Sequence, residues 1–139
     1  MIVLDTNVLS ELMRATPNDA VVRWSLEQPD GALYTTAITK LEMLYGLALL
    51  PTGKRRKQLE SAVNGVFAQD LGNRVLPFDS AAAPEFARIC VLRRAEGRPI
   101  GQLDAQIAAI ARVHRAQLAT RNDADFQGLE IAVVNPFLG

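Results

Sequence analysis

Met1-Ile2-Val3-Leu4-Asp5-Thr6-Asn7 is the stretch whose reading decides the fold. Ile2, Val3 and Leu4 are consecutive apolar residues, two of them β-branched, with no room for a helical turn ahead of them. A short unbroken apolar run of this kind predicts a strand buried on both faces, as in a parallel sheet. The run stops at Asp5, and Asp5-Thr6-Asn7 passes directly into a second apolar stretch beginning at Val8. Ligands of open α/β sheets bind beyond the carboxyl ends of the strands. A carboxylate fixed there is placed to hold a metal ion. Aspartate is also a common helix N-cap, and Asp5 fits that role too.

Outward from this strand the chain alternates helix and strand. Residues 8–13 read as a short helix, and Thr16-Pro17 as the N-cap and first residue of another that carries Val21, Val22, Trp24 and Leu26. Pro29-Asp30-Gly31 ends it. Residues 32–36 are a second strand and 39–49 a longer helix closed by Pro51-Thr52-Gly53. Lys54-Arg55-Arg56-Lys57 opens a helix with Leu59, Val63, Val66 and Phe67 at helical spacing. Residues 74–78 are a third strand. Asp79-Ser80 cap a helix running to Glu96, with Gly97 at its stop. Residues 102–115 form the next helix, with Leu103, Ile107 and Ile110 on its buried stripe, and 117–120 and 131–134 are the last two strands. Strands separated by helices predict an α/β fold, a small parallel sheet of about five strands with helices on both faces. No repeat, low-complexity tract or linker divides the chain, so residues 1–139 are expected to form one domain.

A chain of 139 residues can bury a real core. Apolar residues make up 49%, but no apolar run approaches the roughly 20 residues of a membrane-spanning helix. No basic region precedes Ile2, which argues against a signal peptide. The single Cys90 excludes an intrachain disulfide and any multi-cysteine metal site. These features predict a soluble, cytoplasmic protein without a membrane partner. Lys and Arg total 15 against 15 Asp and Glu, so the general basic excess of a nucleic-acid-gripping protein is absent. The bases are nonetheless clustered, in residues 54–57, in Arg93-Arg94 with Arg98, and in Arg112 with His114-Arg115. Each cluster also fits a solvated helix face.

Three further acidic positions follow elements expected to converge near Asp5. Glu42 lies one turn into its helix, where Thr39-Lys40-Leu41-Glu42 also matches a capping box. Asp104 lies in a first helical turn, favoured there by the helix dipole, and shares a face with Ala108 and Ala111, small residues that admit a close neighbour. The polar run Thr120-Arg121-Asn122-Asp123-Ala124-Asp125-Phe126 follows the fourth strand. Carboxylates gathered together repel one another and take up protons unless a cation neutralises them. Mg²⁺ or Mn²⁺ suits such a set, being held by a few carboxylates plus water, and lowers the pKa of a bound water beside a phosphodiester. No Ser or Cys nucleophile motif is present, and the only histidine, His114, fits a helix-end cation.

In order along the chain, residues 1–10, Thr39-Lys40-Leu41-Glu42-Met43-Leu44-Tyr45-Gly46, Asp104-Ala105-Gln106-Ile107-Ala108-Ala109, and Ala119-Thr120-Arg121-Asn122 with Asp125-Phe126 resemble the successive signatures of the PIN domain. The likeness is greatest to VapC-type ribonuclease toxins of bacterial toxin–antitoxin pairs, in the FitB-like branch, whose chains often end like Val134-Asn135-Pro136. It covers essentially the whole chain and implies an endoribonuclease dependent on Mg²⁺ or Mn²⁺, acting on structured cellular RNA such as transfer RNA. The resemblance places Asp5, Glu42 and Asp104 on the acidic metal positions and Thr6, Asn7 and Thr120 on polar positions that orient them. The fourth acid is open between Asn122, where many relatives carry Asp, Asp123 and Asp125, with Asp125 ranked above Asp123. Lys54, Arg55, Arg56, Arg93, Arg94 and Arg98 are the bases expected to line the approach of RNA. The implied partners are a cognate VapB-like antitoxin, a small DNA-binding protein that sends a basic side chain into the acidic site, and a second copy in a homodimer or larger assembly. Leu9, Leu12 and Met13, with Leu41, Leu44, Tyr45, Leu47, Ala48 and Leu49, offer more apolar surface than one small sheet needs, as core or as the antitoxin's groove. The alternative is a non-catalytic PIN-like binding module whose acids hold a structural ion or a basic segment. An acidic phosphatase stands third, because Asp5-Thr6-Asn7 lacks the second aspartate of an Asp-x-Asp motif.

Overall fold

Strand β1 (Ile2–Leu4) is buried along its whole length at the centre of the sheet. The computed structural model, which describes residues 1–139, pairs it on one side with β2 (Leu33–Thr36) and on the other with β4 (Gln117–Ala119). Outside these lie β3 (Val75–Leu76) and β5 (Val133–Val134), giving the order β3-β2-β1-β4-β5 with every pairing parallel. The chain therefore builds one half of the sheet outward from β1, then returns to β1's other side for β4. That reversal makes the crevice between the carboxyl ends of β1 and β4 the topological switch point, where α/β sheets of this kind bind ligands.

Six helices cover the two faces: α1 (Thr6–Leu12), α2 (Asp19–Glu27), α3 (Ala37–Ala48), α4 (Lys54–Gly65), α5 (Ala82–Ala95) and α6 (Gln102–Val113). Alternation along the strands divides the core. Ile2, Leu4 and Ala119 face a cluster with Val8, Leu9, Val21, Leu47 and Val63, whereas Val3 and Leu118 face one with Ile89, Ile107 and Ile110. Burying both faces explains why β1 has no polar residue to mark a solvent side. No helix is long and apolar enough to cross a membrane.

Several element boundaries differ from expectation. α1 begins at Thr6, because Asp5 accepts from the Thr6 N–H as its N-cap. α2 is capped by Asn18, which accepts from Ala20 and Val21, not by Thr16. α3 starts before Thr39: Thr36 is the cap and its hydroxyl accepts from the Thr39 N–H at 3.1 Å, so Glu42 belongs to no capping box. Asp79 does reach the Ala82 N–H ahead of α5. Leu103 lies on the exposed side of α6, at 39% exposure, while Ala105, Ile107, Ala108, Ala109, Ile110 and Ala111 are buried. The two outermost strands are two residues each, shorter than their apolar runs suggested.

Candidate active site

Parallel pairing of Leu4 with Ala119 sets Asp5 and Thr120 side by side just past the strand ends. The Asp5 N–H still donates to the Ala119 carbonyl at 2.9 Å, so the strand ladder itself fixes the carboxylate. Thr120, fully buried, donates from Oγ1 to Asp5 Oδ2 at 2.8 Å, and Asn7 donates from Nδ2 to the same oxygen at 3.2 Å. Asp5 Oδ1 takes the Thr6 N–H at 2.8 Å. Burial raises the Asp5 pKa, against the bonds from Thr120, Thr6 and Asn7, which favour the anion. Asp5 caps the helix with one oxygen, and the strand end sets the group at the crevice.

Thr120 also accepts from the Asn122 N–H at 3.1 Å, so one hydroxyl ties the start of the acid-bearing loop to Asp5. We expect Thr120→Val, which keeps the shape and deletes the hydroxyl, to destabilise the fold by about 2 kcal/mol through two unpaired buried groups. Chemical denaturation at pH 7 measures this, and an unchanged midpoint would show that the hydroxyl is dispensable.

Glu42 is held by a run of hydroxyls that the sequence did not disclose. Thr6 Oγ1 lies 2.9 Å from Glu42 Oε1 and 3.0 Å from Thr39 Oγ1, and Thr36 Oγ1 lies 3.5 Å from Thr39 Oγ1. A hydroxyl has one proton to give. Thr6 satisfies the charge by donating to Glu42, and Thr39 then donates to Thr6. Thr36 and Thr39 are fully buried. Thr35, also buried, donates to the Leu4 carbonyl at 2.9 Å and locks β2 against β1 below the site. The available signal was Thr35-Thr36 at a strand's carboxyl end directly before a helix.

Asp104, half-buried at the start of α6, completes the centre. Its pKa is raised to about 6, first by burial and then by the charges of Asp5, Glu42 and Asp125. These four carboxylates thus share one field, and none has a basic partner. The other strongly held acids do: Glu11 pairs with Arg14, and Glu85 with Arg88 and Arg112. Asp125 is exposed on the turn Asp123–Phe126. Asp123 is instead engaged by Asn135 Nδ2 at 3.4 Å, and Asn122 is exposed. No three acids are drawn together as a ready-made cage. An unneutralised set of oxygen donors fits Mg²⁺ or Mn²⁺ by its chemistry, since these ions keep much of their water and take one or two carboxylates directly.

The predicted bases divide. Arg93 is a correction: it is 3% exposed and donates to the carbonyls of Asp125 and Gln127, so it cannot meet a phosphate from solvent. Arg56 is half-buried, pairing with Glu60 and donating to the Leu50 carbonyl. Lys54 and Arg55 are exposed at the start of α4, beyond the end of α3 opposite its capping Thr36. Arg94 and Arg98 are exposed, and Arg98 donates to the Ala124 carbonyl of the acid-bearing loop at 3.2 Å. A base not counted before, Arg121, follows Thr120 directly; its N–H donates to Asn7 Oδ1 at 3.0 Å and its guanidinium lies 4.6 Å over the Phe137 ring.

The model of the PIN domain family matches residues 2–131. The chain belongs to the PIN-domain family. It is 41% identical over 137 residues to VapC ribonuclease Y4jK of Sinorhizobium fredii, covering 99% of this chain and 98% of that one. It is 39% identical over 139 residues to Toxin FitB of Neisseria gonorrhoeae, covering 99% of each. Among solved structures, that of FitAB bound to an IR36 DNA fragment matches with a TM-score of 0.91 and 38% identity, over 99% of this chain and 96% of the other. The PIN-domain resemblance read from the residues 1–10, 39–46, 104–109 and 119–126 is therefore correct for family and fold.

Proposed function

We propose that this PIN domain is a divalent-metal-dependent endoribonuclease and the toxin of a toxin–antitoxin pair. The observation that carries the reading is the set of four carboxylates by the switch point, unpaired by any base, where burial first and the charges of the other three next raise Asp104 to about 6. The names of the relatives, a VapC ribonuclease and a FitB toxin, support it. Asp5, Glu42, Asp104 and Asp125 would hold Mg²⁺, with Mn²⁺ able to replace it. The ion, when bound, supplies a Lewis acid and a water of lowered pKa. Thr120 and Asn7 keep the Asp5 carboxylate turned to the crevice, and Thr6 does the same for Glu42. Asn122 adds an uncharged amide at the rim. Arg94 and Arg98, with Lys54 and Arg55 farther out, offer a local phosphate-binding surface on a chain of zero net charge.

The antitoxin has a place on the same reading. A groove of about 340 Å³ runs between α1, α3 and α4, apolar at Met13, Met43, Leu47 and Leu59 and ending at Thr6 and Glu42. An amphipathic helix laid in it would bring a basic side chain to the acids and compete with the cation. Leu41, Leu44, Tyr45 and Leu49 remain exposed on α3, a surface suited to a second copy.

The other reading is a non-catalytic module whose acids hold a structural ion or a basic segment. The deciding experiment is to incubate the purified, partner-free chain with total cellular RNA and Mg²⁺ or Mn²⁺, then sequence the new ends. Discrete cuts that vanish with EDTA support the nuclease, and intact RNA with a folded, metal-loaded chain favours the binding module.

A further inference from the structure

Arg93 occupies the last turn of α5, almost fully buried, and no carboxylate lies within ion-pair distance of it. A buried guanidinium without a counter-ion is unfavourable unless its donors are taken up. Two carbonyls of one short loop, those of Asp125 and Gln127, take up Nη2, while the Nε–H has no partner at all. Helix packing alone would be better served here by a leucine or methionine. Arg98, from the same basic run, adds a bond to the Ala124 carbonyl at 3.2 Å.

The loop they grip needs outside support. It leaves the sheet at Thr120 as one short turn, flanked by bonds from the Asp125 N–H to the Asn122 carbonyl at 3.0 Å and from the Gln127 N–H to the Ala124 carbonyl at 3.5 Å. On its other side Asn135 donates to the Arg121 carbonyl at 3.1 Å. The Asp125 side chain is exposed and has no hydrogen bond of its own, so its position is set by its backbone. We propose that Arg93 is a positioning residue for the acidic centre, fixing the Asp125 carbonyl and through it the Asp125 carboxylate. This rests on the metal-site reading above.

The test is a double-mutant cycle on Mn²⁺ affinity, read by electron paramagnetic resonance on the partner-free chain. Arg93→Met should weaken Mn²⁺ binding about 10-fold, as loss of a supporting contact around a metal site does. In the Asp125→Asn background it should weaken binding no further, and Arg93→Lys should restore part of the loss. In cleavage assays kcat should fall while KM and its salt dependence stay put. Equal weakening in both backgrounds would make Arg93 a general stabiliser, and a reduced salt slope would make it an RNA contact; either overturns the proposal. If Arg93→Met does not fold, Arg93→Lys carries the same cycle, since the shorter lysine side chain places its ammonium about one bond short of the Nη2 position that meets both carbonyls. Hydrogen exchange at the amides of residues 122–127 separates this proposal from the functional one. Arg93→Met should accelerate it there and not in β4, whether or not the parent chain binds Mn²⁺ or cuts RNA. Unchanged exchange overturns the clamp, and a parent without Mn²⁺ binding or cleavage overturns the functional reading.

Discussion

Asp104→Asn should reduce RNA cleavage by about 1,000-fold, the scale expected when charge is removed from a metal-assisted site, and should also stabilise the metal-free fold. The second effect separates a site carboxylate from a structural one. The folded-state pKa of Asp104 is about 6 against an ordinary value of 3.8, so the folded chain binds more protons between those limits. Stability due to this group therefore falls as pH rises from about 4 to 6, and above 6 the whole penalty of ionising it is present. Asparagine does not ionise and escapes the penalty. Full conversion of the shift would give about 3 kcal/mol, but Asp104 is half-exposed and solvent screening leaves about 1 kcal/mol, near 4 °C in Tm. At pH 7.5 in EDTA the variant should melt above the parent, and at pH 4 the two should coincide. Adding Mn²⁺ should raise the parent's Tm and leave the variant's nearly still. A variant that melts lower at every pH would mean that Asp104 is structural.

The same titration shapes the parent's activity. Protonated Asp104 cannot hold a cation, so cleavage should rise through a limb with its midpoint at or below 6. Higher Mn²⁺ should move that midpoint down, because the ion competes with the proton.

What was legible in the sequence was what a strand and its end dictate. Three apolar residues closing on Asp5 could be little else than a buried strand, and Ala108 and Ala111, on the face of Asp104, announced a helix face meeting a close neighbour. The meeting of Asp5, Glu42 and Asp104 depended on the reversal of strand order at β1, which alternation of helix and strand does not specify. Thr36 and Thr39 both satisfy the chemistry of an N-cap. The choice fell to Thr36 because β2 runs to that residue before the chain turns, and Thr39 was left for the hydroxyl run to Glu42. Arg93 misled because charge in a basic run predicts solvent. Its burial is created by a loop that arrives some thirty residues later, as the separation of 32 residues to Asp125 shows. Local sequence carries no trace of that contact.

Gly46→Tyr should separate cleavage from control by the antitoxin. Gly46 lines the groove between α1, α3 and α4, one turn along α3 from Glu42. Its conformation is ordinary helix, and a Cβ added there meets nothing within 4 Å, so tyrosine should be accepted without distorting the fold. The backbone even gains, since glycine inside a helix costs up to about 1 kcal/mol. The phenol, however, would occupy the space that a partner helix needs between Met43 and Leu47. Loss of a central packed contact commonly costs 2 kcal/mol or more, and exclusion of a whole helix should weaken binding of the cognate antitoxin by at least about 100-fold. Calorimetry on the purified pair measures this directly, and cleavage of RNA by the free chain should remain near the parent's rate. In the host, co-expressed antitoxin should rescue growth from the parent but not from Gly46→Tyr, and adding Asp104→Asn should make the variant harmless. Full-strength binding by Gly46→Tyr would place the antitoxin elsewhere, with the exposed α3 residues Leu41, Leu44 and Tyr45 as the next surface to probe.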